Sequence, residues 1–146
     1  MIITLDRLTT IAQQFAGSRQ VTDLRAFGSG NINDTFLVTI ADATEPHFVL
    51  QRINTHVFQQ PALVMQNLRI FTQHVCDKLQ REPEQIERRW AVPRVLLTIA
   101  DRDHWVEPDG SYWRAISFID GSETLDIIQD IKHGREVGYA LGRFHD

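Results

Sequence analysis

The sequence predicts an α+β chain: five antiparallel strands, one long helix inserted after the third strand, and further helices at the two ends. Phe36, Val38 and Ile40 alternate with Thr35, Leu37 and Thr39, and residues 47–53 are rich in apolar and β-branched residues, both patterns of strands. Over residues 61–79 they recur instead at steps of four, three, four and four, which is the period of a helix. The connections between the early strands are short, and short connections favour antiparallel pairing because a parallel pair needs a long crossover.

Each element has its own local justification. Leu5, Leu8, Ile11, Ala12 and Phe15 share a helical face over residues 6–16, and Gly17 is a stop signal. LRAF (24–27) passes through a glycine turn, Gly28-Ser29-Gly30-Asn31, into TFLVTI (35–40). The polar stretch 41–46 turns the chain into HFVLQRI (47–53), the third strand. Pro61 suits a first helical position, and Val64, Leu68, Phe71, Val75 and Leu79 form the predicted core face of a helix running to about residue 80. Residues 81–89 are charged connection. VPRVLLTI (92–99) and SYWRAISFI (111–119) are the fourth and fifth strands, with Asp109-Gly110 as a hairpin turn. Residues 124–131 and 135–144 are predicted helical. Gly134, Gly138 and Gly142 fall on one stripe of the last helix and are expected to permit close packing on another helix.

Composition excludes several function classes. The 146 residues hold 15 Lys+Arg against 19 Asp+Glu, a net charge of −4, whereas a general nucleic-acid binder would show a basic surplus. No apolar run approaches the roughly 18 residues of a membrane-spanning helix, so no membrane contact is expected. The N-terminal residues lack the basic start and unbroken apolar stretch of a secretory signal, and Cys76 is the sole cysteine, which together suit a reducing cytoplasm. The six histidines have no metal-ligand spacing. Trp90, Trp105 and Trp113 are expected in the core or at its rim.

The glycine turn is the first candidate site. Glycine lets backbone amides approach phosphate oxygens closely. A dinucleotide fingerprint would need a third glycine and a following helix, and a P-loop would need G-K-[ST]; neither occurs. Two readings remain: a strand–turn–strand that covers nucleotide phosphates, as in kinases, or a hairpin with no ligand.

FGSGNINDTFLV (27–38), FVLQRINTHVF (48–58) and PALVMQNL (61–68) in this order resemble the aminoglycoside phosphotransferase/choline kinase-like family, and most nearly its N-acetylhexosamine 1-kinase-like sugar kinases. ISFIDG (116–121) and GYALGRFH (138–145) are similar to that family's hinge and first large-lobe helix. The resemblance implies a protein-kinase-like small lobe over residues 1–119 and the start of a truncated helical lobe over 120–146. It further implies an ATP-binding part of a sugar phosphotransferase, acting on the anomeric hydroxyl of an N-acetylhexosamine, with Mg2+ ligands in the remainder of the large lobe.

Carried onto this sequence, the resemblance places Gly28, Ser29, Gly30, Asn31, Asn33 and Asp34 over the phosphates. The third strand should supply a phosphate-binding lysine, but strand alternation puts Gln51 in its place. Arg52 serves only if a bulge re-aims it. The partner glutamate of such a lysine is also missing, and Gln66 stands nearest its position, so a Gln51–Gln66 amide pair is one expectation. Ile116 should line the adenine pocket, and Ser117 and Ile119 should offer backbone groups to the purine edge, with Phe118 turned into the core. No H-x-D-x-x-x-x-N segment occurs within the 146 residues, so the chain by itself is expected to be inactive. Its alternative role is a non-catalytic half-kinase that pairs with a separate large-lobe chain. An exposed lobe face also makes self-association an expectation.

Overall fold

The computed structural model describes residues 3–28, 30, 32–81 and 88–145. In these residues the chain runs α1 (Leu5–Ala16), β1 (Val21–Ala26), β2 (Asp34–Ile40), β3 (His47–Ile53), α2 (Pro61–Arg81), β4 (Val95–Leu96), β5 (Trp105–Val106), β6 (Tyr112–Ser117) and α3 (Ile131–His145). All strand pairs are antiparallel, and the order across the open sheet is β1-β2-β3-β6-β4, with β5 paired to β6. The class is therefore α+β, as the sequence predicts, with six strands rather than five.

The first helix forms where its signals lie. Thr4 caps it through a hydrogen bond from the Arg7 N–H, and Gly17 leaves it at φ +64°, a backbone conformation that other residues adopt at a cost. Leu8, Ile11, Ala12 and Phe15 are buried against Val38, Phe48, Leu50, Trp113 and Ala115, so α1 covers one face of the sheet. Leu5, expected on that stripe, is exposed instead. The Gln13 side chain joins helix to strand, donating to the Arg19 carbonyl at 2.6 Å and accepting from the Val21 N–H at 3.3 Å.

On the opposite face a second cluster, Ile53, Met65 and Tyr112, seats α2 with help from Phe58, Leu68 and Val95. This corrects the predicted face of α2. Met65 and Thr72 are its buried residues, while Phe71 is exposed and Val64, Leu68, Val75 and Leu79 are only half-buried. The helical period holds, but the stripe that meets the sheet is rotated by about one residue.

Three other expectations fail for local reasons. The strand over 92–99 shrinks to two residues: Pro93 has no ladder N–H to give, and the Thr98–Arg102 turn then bends the chain away. In that turn the Thr98 N–H donates to the Arg102 carbonyl at 2.7 Å, and Ile99 reaches α1 through the Gln14 carbonyl at 2.9 Å. The two-residue strand β5 lies in what reads as connection, although the turn after it is where Asp109-Gly110 places it, with Gly110 at φ +82°. Residues 124–130 are irregular, and Leu125, Ile127 and Ile128 are exposed, so no buried apolar face holds a helix there. Asp130 instead starts the next helix, accepting from the His133 N–H at 2.7 Å. No residue of α3 is buried. A Cβ added at Gly134 would meet the Ile128 side chain at 3.6 Å, and one at Gly138 or Gly142 would meet nothing among the described residues within 4 Å, so the glycine stripe packs on no other helix there.

One ion-pair group ties α1 to the β5–β6 hairpin: Arg7 bonds Glu107 at 2.9 Å and Asp109 at 2.6 Å. The Ser111 hydroxyl and N–H, and then Arg7, hold the Asp109 carboxyl far below the usual carboxylate range. Because the folded value is depressed, this stabilisation is complete above the unfolded carboxylate value of about 3.9 and is lost as pH falls below it. Asp109→Asn is therefore expected to lower the melting temperature at pH 7, with the gap from wild type closing progressively once pH drops below about 4. Paired melting curves from pH 7 to pH 3 check the sign.

Candidate functional site

The sheet face opposite α1 carries a polar row through its centre. Thr35, Gln51 and Arg114 lie side by side in the registers of β2, β3 and β6. The Arg114 Nε–H donates to Gln51 Oε1 at 3.0 Å. Gln51 Nε2 donates to Thr35 Oγ1 at 3.1 Å, and the Thr35 hydroxyl donates to the Asn33 carbonyl at 3.3 Å. An arginine nitrogen can only donate, so it fixes which end of the Gln51 amide faces β6. The result is a directional chain of hydrogen bonds from β6 to the foot of the glycine turn.

The turn itself is anchored at both ends. Phe27 closes β1 with a backbone bond to the Thr35 carbonyl at 2.9 Å, and its ring meets Phe118 edge-on at 5.7 Å. Phe118 also meets His47 at 5.9 Å and is half-buried. It is thus a contact between the start of the turn and the segment after β6, not the core residue expected. Gly28 sits at φ +79°, with nothing among the described residues within 4 Å of where a Cβ would stand. Asn33 Oδ1 accepts the Asn54 N–H at 2.9 Å, and Asn54 Oδ1 accepts the N–H groups of His56 and Val57 at 3.0 and 3.3 Å. The two asparagines that mark the sequence motifs thereby lock the turn to β3 and to the approach to α2. The Asn33 side-chain oxygen is engaged in this contact.

Several expected site residues lie elsewhere. Asp34 and Arg52 are register partners and pair with each other, with Arg52 Nε donating to Asp34 Oδ2 at 2.7 Å. No bulge re-aims Arg52, and its charge is already met. Gln66 is exposed on α2, beside a surface groove it shares with Arg69, Gln73 and Asp103. The Gln51–Gln66 pair is not made, because Thr35 and Arg114 occupy Gln51. The Ser117 N–H donates to the Arg94 carbonyl at 2.8 Å, and its hydroxyl accepts the Arg94 N–H at 2.8 Å. A purine edge could use that N–H only by displacing Arg94. Ile119 accepts the Ser122 hydroxyl at 2.9 Å and lines a groove of 460 Å³ with His47, Phe118 and Trp90. Ile116 is paired with Val49 and Val95 across the sheet. Gly30 is described, whereas Ser29 and Asn31 lie outside the described residues.

Sequence reasoning missed Thr35, Arg114 and Phe27 as parts of this face. Arg114 left a signal: a lone cation inside the apolar run YWRAIS, two residues from Tyr112 and Ile116 and so on their face. Burial lowers its guanidinium from the ordinary value, though an arginine stays charged at neutral pH. Among the described residues no cluster of three His, Cys, Asp or Glu side chains could hold a metal, and no helix is long and apolar enough to cross a membrane. No protein-family model matches the chain.

Proposed function

We propose that this chain is the nucleotide-facing part of a small-molecule phosphotransferase of the aminoglycoside phosphotransferase/choline kinase-like type, its fold a protein-kinase-like small lobe. The observation that carries the reading is the glycine turn between β1 and β2, joined by hydrogen bonds through Thr35 and Gln51 to β6. A helix inserted after the third strand and two aromatic rings linking turn to hinge support it. The open space at Gly28 and the half-buried guanidinium of Arg114 suit the phosphates of ATP. No three His, Cys, Asp or Glu side chains of the described residues gather into a metal site, and the reading puts the magnesium ligands in the remainder of the large lobe. Transfer to a sugar hydroxyl, that of an N-acetylhexosamine at its anomeric carbon, needs an acceptor-orienting aspartate and metal ligands that the H-x-D-x-x-x-x-N pattern would supply. On this reading Gly28, Thr35, Gln51 and Arg114 serve to bind and orient the nucleotide.

The test is calorimetric titration of the full chain with Mg-ATP, adenosine and a neutral sugar. Saturable binding of Mg-ATP in preference to the sugar is the expected result. Absence of Mg-ATP binding up to millimolar concentration contradicts the reading.

A second reading, a non-catalytic module that pairs with a separate helical chain, is favoured by α3. Ile131, Val137, Leu141 and Phe144 on it are all exposed, an apolar surface of the kind that marks a contact site.

A further inference from the structure

We propose that Arg114 supplies the cationic contact for the phosphate chain of a nucleotide, from the strand beside the one where a lysine would stand. The inference rests on the nucleotide-binding reading above and adds to it the residue that grips the phosphates.

Arg114 is the register partner of Gln51, so a long side chain at 114 reaches the space that a cation at 51 would have occupied. Neighbouring strands lie about 4.8 Å apart, well within the reach of an arginine. The hydrogen bond to Gln51 uses only Nε–H, and the two terminal NH2 groups of the fork have no partner among the described residues. Those are the donors that bind phosphate oxygens, and a guanidinium fixed at Nε is already oriented to present them.

Arg114 differs in its partners from two of the other half-buried arginines. Arg7 and Arg52 are also half-buried, and each holds a carboxylate: Glu107 and Asp109 for Arg7, Asp34 for Arg52. Arg114, in the middle of the sheet, meets a neutral amide and no carboxylate among the described residues. A partly desolvated cation without a counter-charge destabilises the fold unless an anion completes it. The sheet face around it offers that anion a short route to the glycine turn, through Gln51, Thr35 and Asn33.

Equilibrium titrations of the full chain with Mg-ATP, adenosine and inorganic tripolyphosphate test this in wild type, Arg114→Gln, Arg114→Lys, Gln51→Glu and Arg102→Gln. Arg114→Gln is expected to weaken Mg-ATP and tripolyphosphate about tenfold or more while leaving adenosine within about twofold. Arg114→Lys should recover part of the loss. Gln51→Glu gives the guanidinium an internal carboxylate and should weaken the same two ligands in a folded protein. Arg102 is exposed, in the turn on the α1 side of the sheet, and its loss should change nothing beyond about twofold.

Undiminished binding of both polyphosphates by Arg114→Gln, or an equal loss in Arg102→Gln, overturns the proposal while the nucleotide reading stands. Tripolyphosphate binding that depends on Arg114 with no extra affinity for Mg-ATP sinks the nucleotide reading and keeps Arg114 as a polyphosphate contact. Binding of neither ligand by wild type removes both. If Arg114→Gln does not fold, Gln51→Glu and Arg114→Lys decide by the same criteria.

Discussion

Trp113→Ala is expected to destabilise the protein by about 3–5 kcal/mol, the cost of emptying a large aromatic site in a packed core. Trp113 is the largest fully buried side chain in the described residues. It stands on β6 between Arg52 of β3 and Trp105 of the short β5, under α1, with its ring centroid 6.2 Å from that of Phe36 and its Nε1–H on the Ser111 hydroxyl at 3.1 Å. The substitution removes the contacts of several elements together. Since a domain of this size is typically stable by about 5–15 kcal/mol, the variant should be unfolded or close to it at physiological temperature. Urea unfolding followed by fluorescence and circular dichroism measures the loss. A cost near 1 kcal/mol would mean that α1 does not seat on β6 as described.

Met65→Ala should cost about 2–5 kcal/mol, whereas Phe71→Ala should cost no more than about 1 kcal/mol. The contrast runs against the sizes of the two side chains and follows from their placement. Met65 is fully buried between Ile53 and Tyr112, on the face of α2 that meets the sheet. Phe71 is exposed, and its ring contact is with Phe144 of α3 at 5.6 Å. The same denaturant series on the two variants gives the comparison. Equal costs would place the α2 stripe where the apolar spacing alone puts it, on Val64, Leu68 and Phe71.

That difference shows what local pattern can and cannot carry. The strand at 35–40 and the helix from Pro61 are legible because each has a run of one period and a clear boundary, and the strand at 47–53 because apolar and β-branched residues follow a polar turn. β4 and β5 were not, since two-residue strands have no period and owe their existence to β6 beside them. The face of α2 was misjudged because an apolar stripe wider than its contact does not say which edge is buried. At the site, the glycine turn and Gln51 could be read from spacing. The cation could not: with lysine absent from the third strand, attention goes to its neighbour Arg52, which Asp34 has already taken. Arg114 is 63 residues further along the chain from Gln51, and only strand pairing brings the two together. The asparagine motifs were visible, but their work of holding the turn to β3 depends on that same pairing.

The central claim is that the sheet face opposite α1 receives a nucleotide, and amide chemical-shift mapping during a Mg-ATP titration tests it most directly. The account predicts shifts that grow and saturate together at Gly28, Gly30, Asn33, Thr35, Gln51 and residues 114–118, with Ile11, Ala12 and Phe15 of α1 unmoved. Shifts centred on α1 or α3, or none at saturating nucleotide, would contradict it.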